Sequence, residues 1–329
     1  MASNRRKAVI AGAGTAAAGL AAAAIVVFTG APAAHRETAP SPSPTQASLI
    51  SPFTGEPVTA LRRVLIVKID NLDAARPQTG LTRADIIYLI PVEGGLSRIM
   101  AVFSSHDPPV IGPVRSSRED DIELLRQYGR PAFAYSGADP RLLPLVHRAR
   151  IVDLYEGLAR GYYRDARRPA PHNLYARTGQ LLAQAAGASK AHDIGFRFGP
   201  PPPGGQPATS RSVSFPAAAF RFSWSAAKQR WLVSMDGARA QSTEDGRLSA
   251  ATVVIQYTKV RNSRFHKQGV PSPYAVSVAS GAAVVLRDGK SWSAHWSRPA
   301  ADAGTTFTTA AGQPMTFARG PVWIVLAER

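Results

Sequence analysis

Short apolar runs in the first half of the chain predict the strands of a covered sheet. The runs of strand length lie at 64–69, 86–92, 99–104 and 132–135. Helical patterns fit the segments 116–128, 140–148 and 178–186. Ser116 and Ser117 are suited to begin the first helix, and the acidic residues that follow favour its N-terminal dipole. Near-continuous apolar strands that alternate with helices predict a sheet covered on at least one face.

The second half of the chain is rich in β pattern. Its strand-like segments are 220–224, 231–235, 251–260, 274–278, 283–286, 291–296 and 322–326. Aspartate–glycine pairs, which favour tight hairpin turns, occur at 236–237, 245–246 and 288–289. These features predict an antiparallel sheet or a partial barrel. All five tryptophans lie in this half, and we interpret Trp292 and Trp296, on one strand face, as core rather than as a sugar-stacking platform.

Two proline-rich segments divide the chain. Residues 35–51 are rich in Pro, Ser, Thr and Ala, which is typical of an extended tether. Residues 199–212 contain four consecutive prolines between glycines, which can continue neither a helix nor a strand ladder. We therefore expect an α/β (mixed α+β) sandwich domain at 52–198 and a β-rich antiparallel domain at 213–329.

The first 34 residues have the pattern of an export signal or an N-terminal membrane anchor. Arg5, Arg6 and Lys7 precede a charge-free, alanine-rich run at 8–30, and small residues follow at 31–34. This pattern favours cleavage after the small residues over retention as an anchor, and leaves both open. The arginine pair is compatible with general or twin-arginine export. The positive-inside rule places the rest of the chain outside the cytoplasm.

Charge and cysteine content narrow the class of protein further. The formal net charge is +17, a surplus that attracts polyanions. No nucleic-acid-binding motif accompanies it, so the expected partner is an anionic cell-envelope polymer or an envelope protein. Cysteine is absent, which excludes disulfides, thiolate metal sites, cysteine nucleophiles and a lipid-bearing cysteine. We expect a non-lipidated extracytoplasmic protein, secreted or anchored to the plasma membrane by its N-terminal segment.

Three compact blocks in the first half predict a pocket. They are V-E-G-G-L-S-R at 92–98, I-G-P-V-R-S at 111–116 and P-H-N-L-Y at 171–175. Each sets charged or polar side chains beside glycine or proline, next to apolar core strands. Functional sites are commonly built in this way, from loops held by a rigid scaffold.

These blocks belong to a longer series of motifs that resembles a known bacterial family. The other motifs are P-F-T-G at 52–55, K-I-D-N at 68–71, A-R-P-Q-T-G-L at 75–81, A-D-I-I-Y at 84–88, Y-Y-R-D at 162–165, D-G-K at 288–290 and V-W-I at 322–324. From 52 to 325 the chain is similar to the YerB-like lipoprotein family. The resemblance implies a mixed α/β sandwich followed by a β-rich C-terminal domain, exported to the envelope and without an established activity. The lipidation cysteine of that family is missing here.

Arginine-rich loops are the candidate ligand-binding groups. The candidates are Arg76, Arg98, Arg115, Ser116, Arg118, Arg164, Asn173 and Tyr175. Guanidinium groups bind carboxylate or phosphate through paired hydrogen bonds, which favours an anion pocket. The alternative is an internal ion network with neighbouring acids, and a mixture of the two is expected. These acids are Asp70, Asp85, Glu93 and Asp165.

A catalytic interpretation rests on His172 with Asp70 or Glu93. Prolines hold the loop before His172 extended, and imidazole titrates near neutral pH. The alternative is a histidine bonded to backbone that fixes the loop. No metal-ligand spacing and no cofactor motif is present, so neither a metal nor a cofactor is predicted.

The sequence favours a non-catalytic function, the binding of an anionic envelope ligand or a partner protein by the arginine-rich loops. The runner-up is a cell-wall hydrolase or transferase that uses His172 with an acidic partner. A scaffold for wall-synthesis complexes is a third possibility. Convergence of His172, Asp70 and Glu93 in a cleft with Arg115 would favour catalysis, and separate pairing would favour binding.

Overall fold

A computed structural model describes residues 48–244, 246–267 and 269–329. The predicted export signal at 1–34, most of the tether at 35–51 and one residue of the predicted turn at 245–246 lie outside these ranges. Residues 48–329 form one compact unit. Within the described residues, no helix is both long enough and apolar enough to cross a membrane.

The four strands predicted in the first half are present as β3, β4, β5 and β7. The strands of this half are β1 (Leu49–Ile50), β2 (Pro57–Val58), β3 (Leu65–Asp70), β4 (Ile86–Val92), β5 (Leu96–Phe103), β6 (Val110–Ile111), β7 (Ala132–Tyr135), β8 (Val152–Tyr155), β9 (Tyr162–Arg164) and β10 (Leu174–Arg177). The helices are α1 (Glu119–Leu125), α2 (Leu143–His147) and α3 (Thr178–Ala183), with 3-10 turns at Asp73–Ala75, Leu81–Arg83, Glu93–Gly95 and Arg126–Tyr128. All three α-helices are shorter than predicted. Helix α1 begins after Arg118, whose backbone N–H donates to Asp121 Oδ2 at 2.7 Å.

The second half is β-rich, as predicted. Its strands are β11 (Gln206–Pro207), β12 (Ser210–Phe215), β13 (Ala218–Ser225), β14 (Arg230–Met235), β15 (Ala238–Arg239), β16 (Gln241–Ser242), β17 (Gly246–Arg247), β18 (Ser249–Ala250), β19 (Thr252–Thr258), β20 (Val260–Lys267), β21 (Val270–Ala275), β22 (Ala279–Arg287), β23 (Lys290–Arg298), β24 (Thr306–Thr309) and β25 (Val322–Glu328). The turn residues Asp236 and Asp288 have φ of 50° and 48°, each followed by a glycine that also has positive φ. Both turns therefore use the left-handed backbone that the Asp-Gly pairs predict.

The central sheet crosses the predicted domain boundary at 199–212. Its strand order is β11-β23-β22-β19-β25-β4-β5-β3-β7-β8, with β24 on β23. The last strand, β25, lies between β19 and β4 and is parallel to both. The second half therefore does not close its own barrel, because its strands continue the sheet of the first half. The fold is mostly β. The division into an α/β part and a β part is less clear than the sequence predicted, because the central sheet contains strands of both halves.

Each face of the central sheet is covered by a different layer. One face carries Val67, Leu89 and Trp323, against which Phe222 and Trp231 of the small sheet β12-β13-β14-β15 are buried. The core on the other face contains residues of α1 and of the turn after it. It also contains residues of β23 and β24, which belong to the central sheet itself. Burial on both faces explains why β3, β4 and β5 are nearly continuous apolar runs.

The tryptophans of the second half belong largely to the core. Trp231, Trp296 and Trp323 are buried almost completely, and Trp292 is 4% exposed. The Nε1–H of Trp296 donates to the backbone oxygen of Tyr257 at 2.9 Å. The interpretation of Trp292 and Trp296 as core residues is confirmed.

Six strands end at one edge of the central sheet. Strands β3, β7 and β8 are mutually parallel, as are β4, β25 and β19. Strand β5 is antiparallel to both β3 and β4, so the two groups run in the same direction. In open α/β sheets, ligands bind outside the carboxyl ends of parallel strands. This edge, with Asp70 and Glu93 at the ends of β3 and β4, is where a site is expected.

We expect residues 48–198 produced alone not to fold cooperatively. Without β25, the apolar strand β4 becomes an unpaired edge, and the fragment loses contacts with buried Trp323, Ile324 and Val325, each worth about 1.5–3 kcal/mol. Urea unfolding followed by circular dichroism measures this, with co-production of residues 199–329 as the rescue. A sharp two-state transition of the isolated fragment would contradict the expectation.

Candidate functional site

Two local features bring the arginines of two sequence blocks to the end of β3. Asp70 is paired in register with Arg98 at the start of β5. The loop that contains Arg115 runs beside β3, because the Asp70 N–H donates to the Pro113 oxygen and the Arg115 N–H donates to the Lys68 oxygen, each at 2.8 Å. Arg98 and Arg115 are therefore held by backbone pairing on either side of the same carboxylate.

Asp70 is the buried centre of this cluster. Its side chain has no solvent exposure, and its Oδ2 accepts from Arg115 Nε at 2.8 Å and lies 2.9 Å from His172 Nδ1. Arg98 Nε lies 3.9 Å from Oδ1. Burial alone would raise the pKa of Asp70, but the charge of Arg98, the His172 hydrogen bond and the charge of Arg115 outweigh it and lower that pKa. Asp70 is ionised and fixes the side chains around it.

Glu93 forms a second, separate anchor. Arg118 Nη2 donates to Glu93 Oε2 at 2.8 Å, and the Ser272 hydroxyl donates to Oε1. Burial opposes ionisation, but the hydrogen bond and the charge of Arg118 lower the pKa of Glu93 to about 2. Glu93 therefore holds Arg118 in place as a carboxylate.

Arg98, Arg115 and Arg118 line one cavity at this edge, with a volume of about 320 Å³. The lining also contains three carboxylates and four other polar groups, which are Glu93, Glu119 and Asp139, and Ser116, Ser263, Ser272 and His266. Its apolar residues are Ala138, Pro140, Leu142 and Phe265. Burial first, and then the charge of Arg118, lower the pKa of Arg98. The Nε atoms of Arg98 and Arg118 are buried without a hydrogen-bond partner among the described residues. A cavity with this excess of buried cationic donors is suited to an anion.

The remaining predicted ligand-binding residues lie away from this cavity. Arg76 donates to Asp236 at 2.7 Å and to the Asn71 oxygen at 2.7 Å, and Arg164 donates to Asn173 at 3.1 Å. Tyr175 is buried and stacks on Tyr163. These four candidates, Arg76, Arg164, Asn173 and Tyr175, form internal contacts.

The predicted catalytic residues are brought together only in part. His172 and Asp70 are hydrogen-bonded, whereas Glu93 is paired with Arg118 and Ser272. Glu93 lines the cavity, but His172 does not. His172 contacts Asp70, which in turn binds Arg115.

Sequence reasoning missed a buried ion pair beneath the cavity. Lys68 Nζ lies 2.5 Å from Asp121 Oδ1, and both side chains have no solvent exposure. Asp120 is buried beside them; its Oδ2 accepts from the Ala275 N–H at 3.2 Å and its Oδ1 has no partner among the described residues. The only signal was a lysine within the apolar run at 64–69, and its meaning depends on an acid from a distant helix.

The hairpin β20–β21 of the second half completes the cavity. Ser263 Oγ donates to Glu119 Oε2 at 2.6 Å, and the Tyr274 hydroxyl donates to Glu123 Oε2 at 2.9 Å. Together with the hydrogen bond from the Ser272 hydroxyl to Glu93, these bonds hold the hairpin against α1 and the turn after β4. The site is therefore built by both halves of the chain. Across the described ranges, no three His, Asp or Glu side chains come together as a metal would require.

Fold and site together define a mostly β, two-part protein with an arginine-lined cavity. Two family models match the chain, "Protein of unknown function (DUF3048) N-terminal domain" over residues 53–192 and its C-terminal domain over residues 211–324. The chain therefore belongs to this two-part, YerB-like family, and the resemblance stated from the sequence motifs is confirmed.

Relatives from Bacillus subtilis agree with this family. A stretch of 99 residues is 37% identical to the protein of strain 168 named "Putative lipoprotein YerB". That match spans 29% of this chain and 30% of the relative. The crystal structure of a Bacillus subtilis YerB protein matches with a TM-score of 0.71 at 20% identity, covering 84% of this chain and 96% of that chain. At that identity the structural likeness establishes the fold alone.

We expect Lys68→Met to destabilise the protein by about 3 kcal/mol or more, because it leaves the Asp121 charge buried without its cation. The control is Arg197→Ala, which breaks the exposed pair with Asp193 and should cost at most about 1 kcal/mol. The free energy of unfolding in urea measures both. Equal, small losses would show that the buried pair contributes no more than a surface pair.

Asp120 should make stability fall as pH rises towards neutrality. Burial, and next the charge of Asp121, raise the pKa of Asp120 from 3.8 to about 7, with Lys68 and Arg118 opposing. A carboxyl with a raised pKa contributes its stabilisation fully below its unfolded pKa and loses it as pH rises through the folded value. Wild type should therefore lose stability relative to Asp120→Asn between about pH 4 and pH 8. Urea midpoints measured across this range test it, and parallel curves for the two proteins would contradict it.

Proposed function

We propose that this chain is an exported cell-envelope protein that binds an anionic envelope ligand at the cavity of Arg98, Arg115 and Arg118. The observation that carries the proposal is the convergence of three guanidinium groups on one cavity that only two carboxylates, Asp70 and Glu93, hold in place. Such a group of fixed donors in a partly desolvated site favours anions strongly over neutral ligands.

Arg115 is the best-placed donor for a ligand. Its Nε is bound to Asp70, which fixes the plane of the guanidinium group, while its two Nη atoms have no partner among the described residues. Its side chain retains 17% exposure, compared with 5% for Arg98 and 9% for Arg118. An arginine that is held at one edge and free at the other is pre-organised to bind a carboxylate or phosphate end-on.

Three facts support the extracytoplasmic location. The first residues have the charge and apolar pattern of an export signal or anchor. The Bacillus subtilis relative is named "Putative lipoprotein YerB", and the net charge of +17 suits an anionic envelope. Because the sequence contains no cysteine, we propose release or attachment by the N-terminal segment in place of a lipid.

One observation favours the alternative, a cell-wall hydrolase or transferase. The hydrogen bond of 2.9 Å between His172 and Asp70 is the kind of contact that orients a general base. The predicted acidic partner Glu93 does not join this pair, since it is held by Arg118. Binding is therefore favoured over catalysis.

Binding to purified cell-wall sacculi tests the proposal. We expect residues 48–329 to bind sacculi in a salt-sensitive manner, and Arg115→Gln to weaken binding by about 10- to 100-fold, the value of a charge-assisted hydrogen bond. The matched control is Arg164→Gln, an equal change of charge at an exposed arginine outside the cavity. Sacculi stripped of anionic polymers separate polymer binding from peptide binding. Equal effects of the two variants would contradict a specific site.

The same samples test the enzymatic alternative. Soluble wall fragments that wild type releases and His172→Ala does not would establish catalysis. Absence of both binding and products would overturn the wall-directed proposal and direct the search to partner proteins.

A further inference from the structure

We propose that the arginine cavity takes a carboxylate joined to an apolar group, and not a phosphate. The end of a peptide with an apolar last residue, or a small apolar acid, has this chemistry. The inference rests on the proposed function, because it concerns the ligand of the same cavity. Four properties of the cavity support the inference: its net charge, its free hydrogen-bond donors, the apolar part of its lining and its volume.

The charges around the cavity leave room for one negative charge. Three guanidinium groups, of Arg98, Arg115 and Arg118, face the carboxylates of Asp70 and Glu93. One positive charge therefore remains uncompensated. A carboxylate balances it, whereas a phosphate monoester, which carries almost two negative charges at neutral pH, exceeds it.

The other acids of the lining do not alter this balance. Glu119 is bound by Arg264 at 2.9 Å, and Asp139 by Arg141 at 3.3 Å. Each pair is neutral as a whole. The charges of Lys68 and Asp121 also compensate each other. Burial, and next the charge of Asp121, raise the pKa of the neighbouring Asp120, which favours its neutral form.

The free donors match the two oxygens of a carboxylate. Both Nη atoms of Arg115 have no partner among the described residues, and Arg98 Nη1 makes one weak contact, at 3.4 Å, with the Ser116 oxygen. Two nitrogens of one planar guanidinium group can bind both carboxylate oxygens at once, and Arg98 supplies a further donor.

Part of the cavity lining is apolar. It consists of Ala138, Pro140, Leu142 and Phe265, and Phe265 is only partly buried. An apolar group next to the carboxylate would cover this surface and gain affinity from its burial. In the phosphodiesters of envelope polymers, the groups on both sides of the phosphate are polar polyols, which would leave this surface without an apolar partner. The apolar part of the lining therefore favours an apolar carboxylate over such a phosphodiester, although both carry one negative charge.

The volume sets the size of the part that is bound. At about 30 Å³ for each water-sized group, 320 Å³ holds on the order of ten non-hydrogen atoms. This corresponds to roughly one or two terminal residues of a peptide, or to a branched acid of six to ten carbons.

Titration calorimetry on residues 48–329, which form one compact unit, tests the inference with defined probes. The probes are N-acetyl-alanyl-alanine, its C-terminal amide, N-acetyl-alanyl-leucine, acetate, 4-methylpentanoate, dimethyl phosphate and inorganic phosphate. We expect the free peptide acid to bind at least about tenfold more tightly than its amide. We expect the affinity for 4-methylpentanoate to be about three- to fourfold higher than that for acetate for each added carbon that is buried. Both phosphates should bind more weakly than the apolar carboxylates.

Two variants locate the binding. Arg115→Gln should abolish the preference for acid over amide, and Phe265→Ala should reduce the gain from 4-methylpentanoate over acetate. The controls are Arg164→Gln and Leu158→Ala, the second a change at an exposed residue outside the cavity. Circular dichroism shows whether each variant is folded. The ligand series in wild type tests the inference even where a variant is unstable.

The outcomes separate this inference from the proposed function. Phosphate or dimethyl phosphate binding more tightly than the apolar acids, with dependence on Arg115, would overturn the inference and leave the anion site in place. No binding of any probe that depends on Arg115 would overturn both. Preference for the peptide acids over 4-methylpentanoate identifies a peptide end as the source, and the reverse identifies a small free acid; either supports the carboxylate.

Discussion

The structure depends on the insertion of the last strand, β25, between β4 and β19. Strand β25 is parallel to both neighbours, and its residues Val322 to Ala327 are almost completely buried. Two adjacent parallel strands cannot be joined by a tight hairpin, so a long crossover connection has to lead the chain back to the position of β25. It joins both halves in one sheet and brings six strand ends to a single edge.

Electrostatics at this edge follow from burial. Asp70 and Glu93, at the ends of β3 and β4, are fully and partly buried respectively, and each is kept ionised by arginines that are themselves largely buried. A buried carboxylate without such partners would be protonated, and a buried arginine without an acid would be costly. Two acids therefore position three arginines, and the surplus positive charge is the basis of the proposed anion binding. His172 strengthens this arrangement through Asp70 and does not enter the cavity itself.

The second half of the chain contributes to the site directly. The hairpin β20–β21 forms one wall of the cavity, and it is held by hydroxyl groups bound to the acids of α1 and to Glu93. The two family models divide the chain between 192 and 211, yet neither part contains the whole cavity. A function at this site is therefore a property of both parts together.

The sequence by itself determined the long apolar strands of the central sheet, the tight turns at 236–237 and 288–289, the tryptophan core and three of the candidate cavity residues, Arg98, Arg115 and Arg118. These follow from local pattern, because strand burial and turn backbone depend on neighbouring residues. Only the tertiary structure decided that the halves share a sheet, that Lys68 pairs with Asp121, and which arginines are committed to internal acids. Those outcomes depend on contacts between residues distant in sequence, and a clustered charge has the same appearance in a sequence whether its partner is a ligand or another side chain.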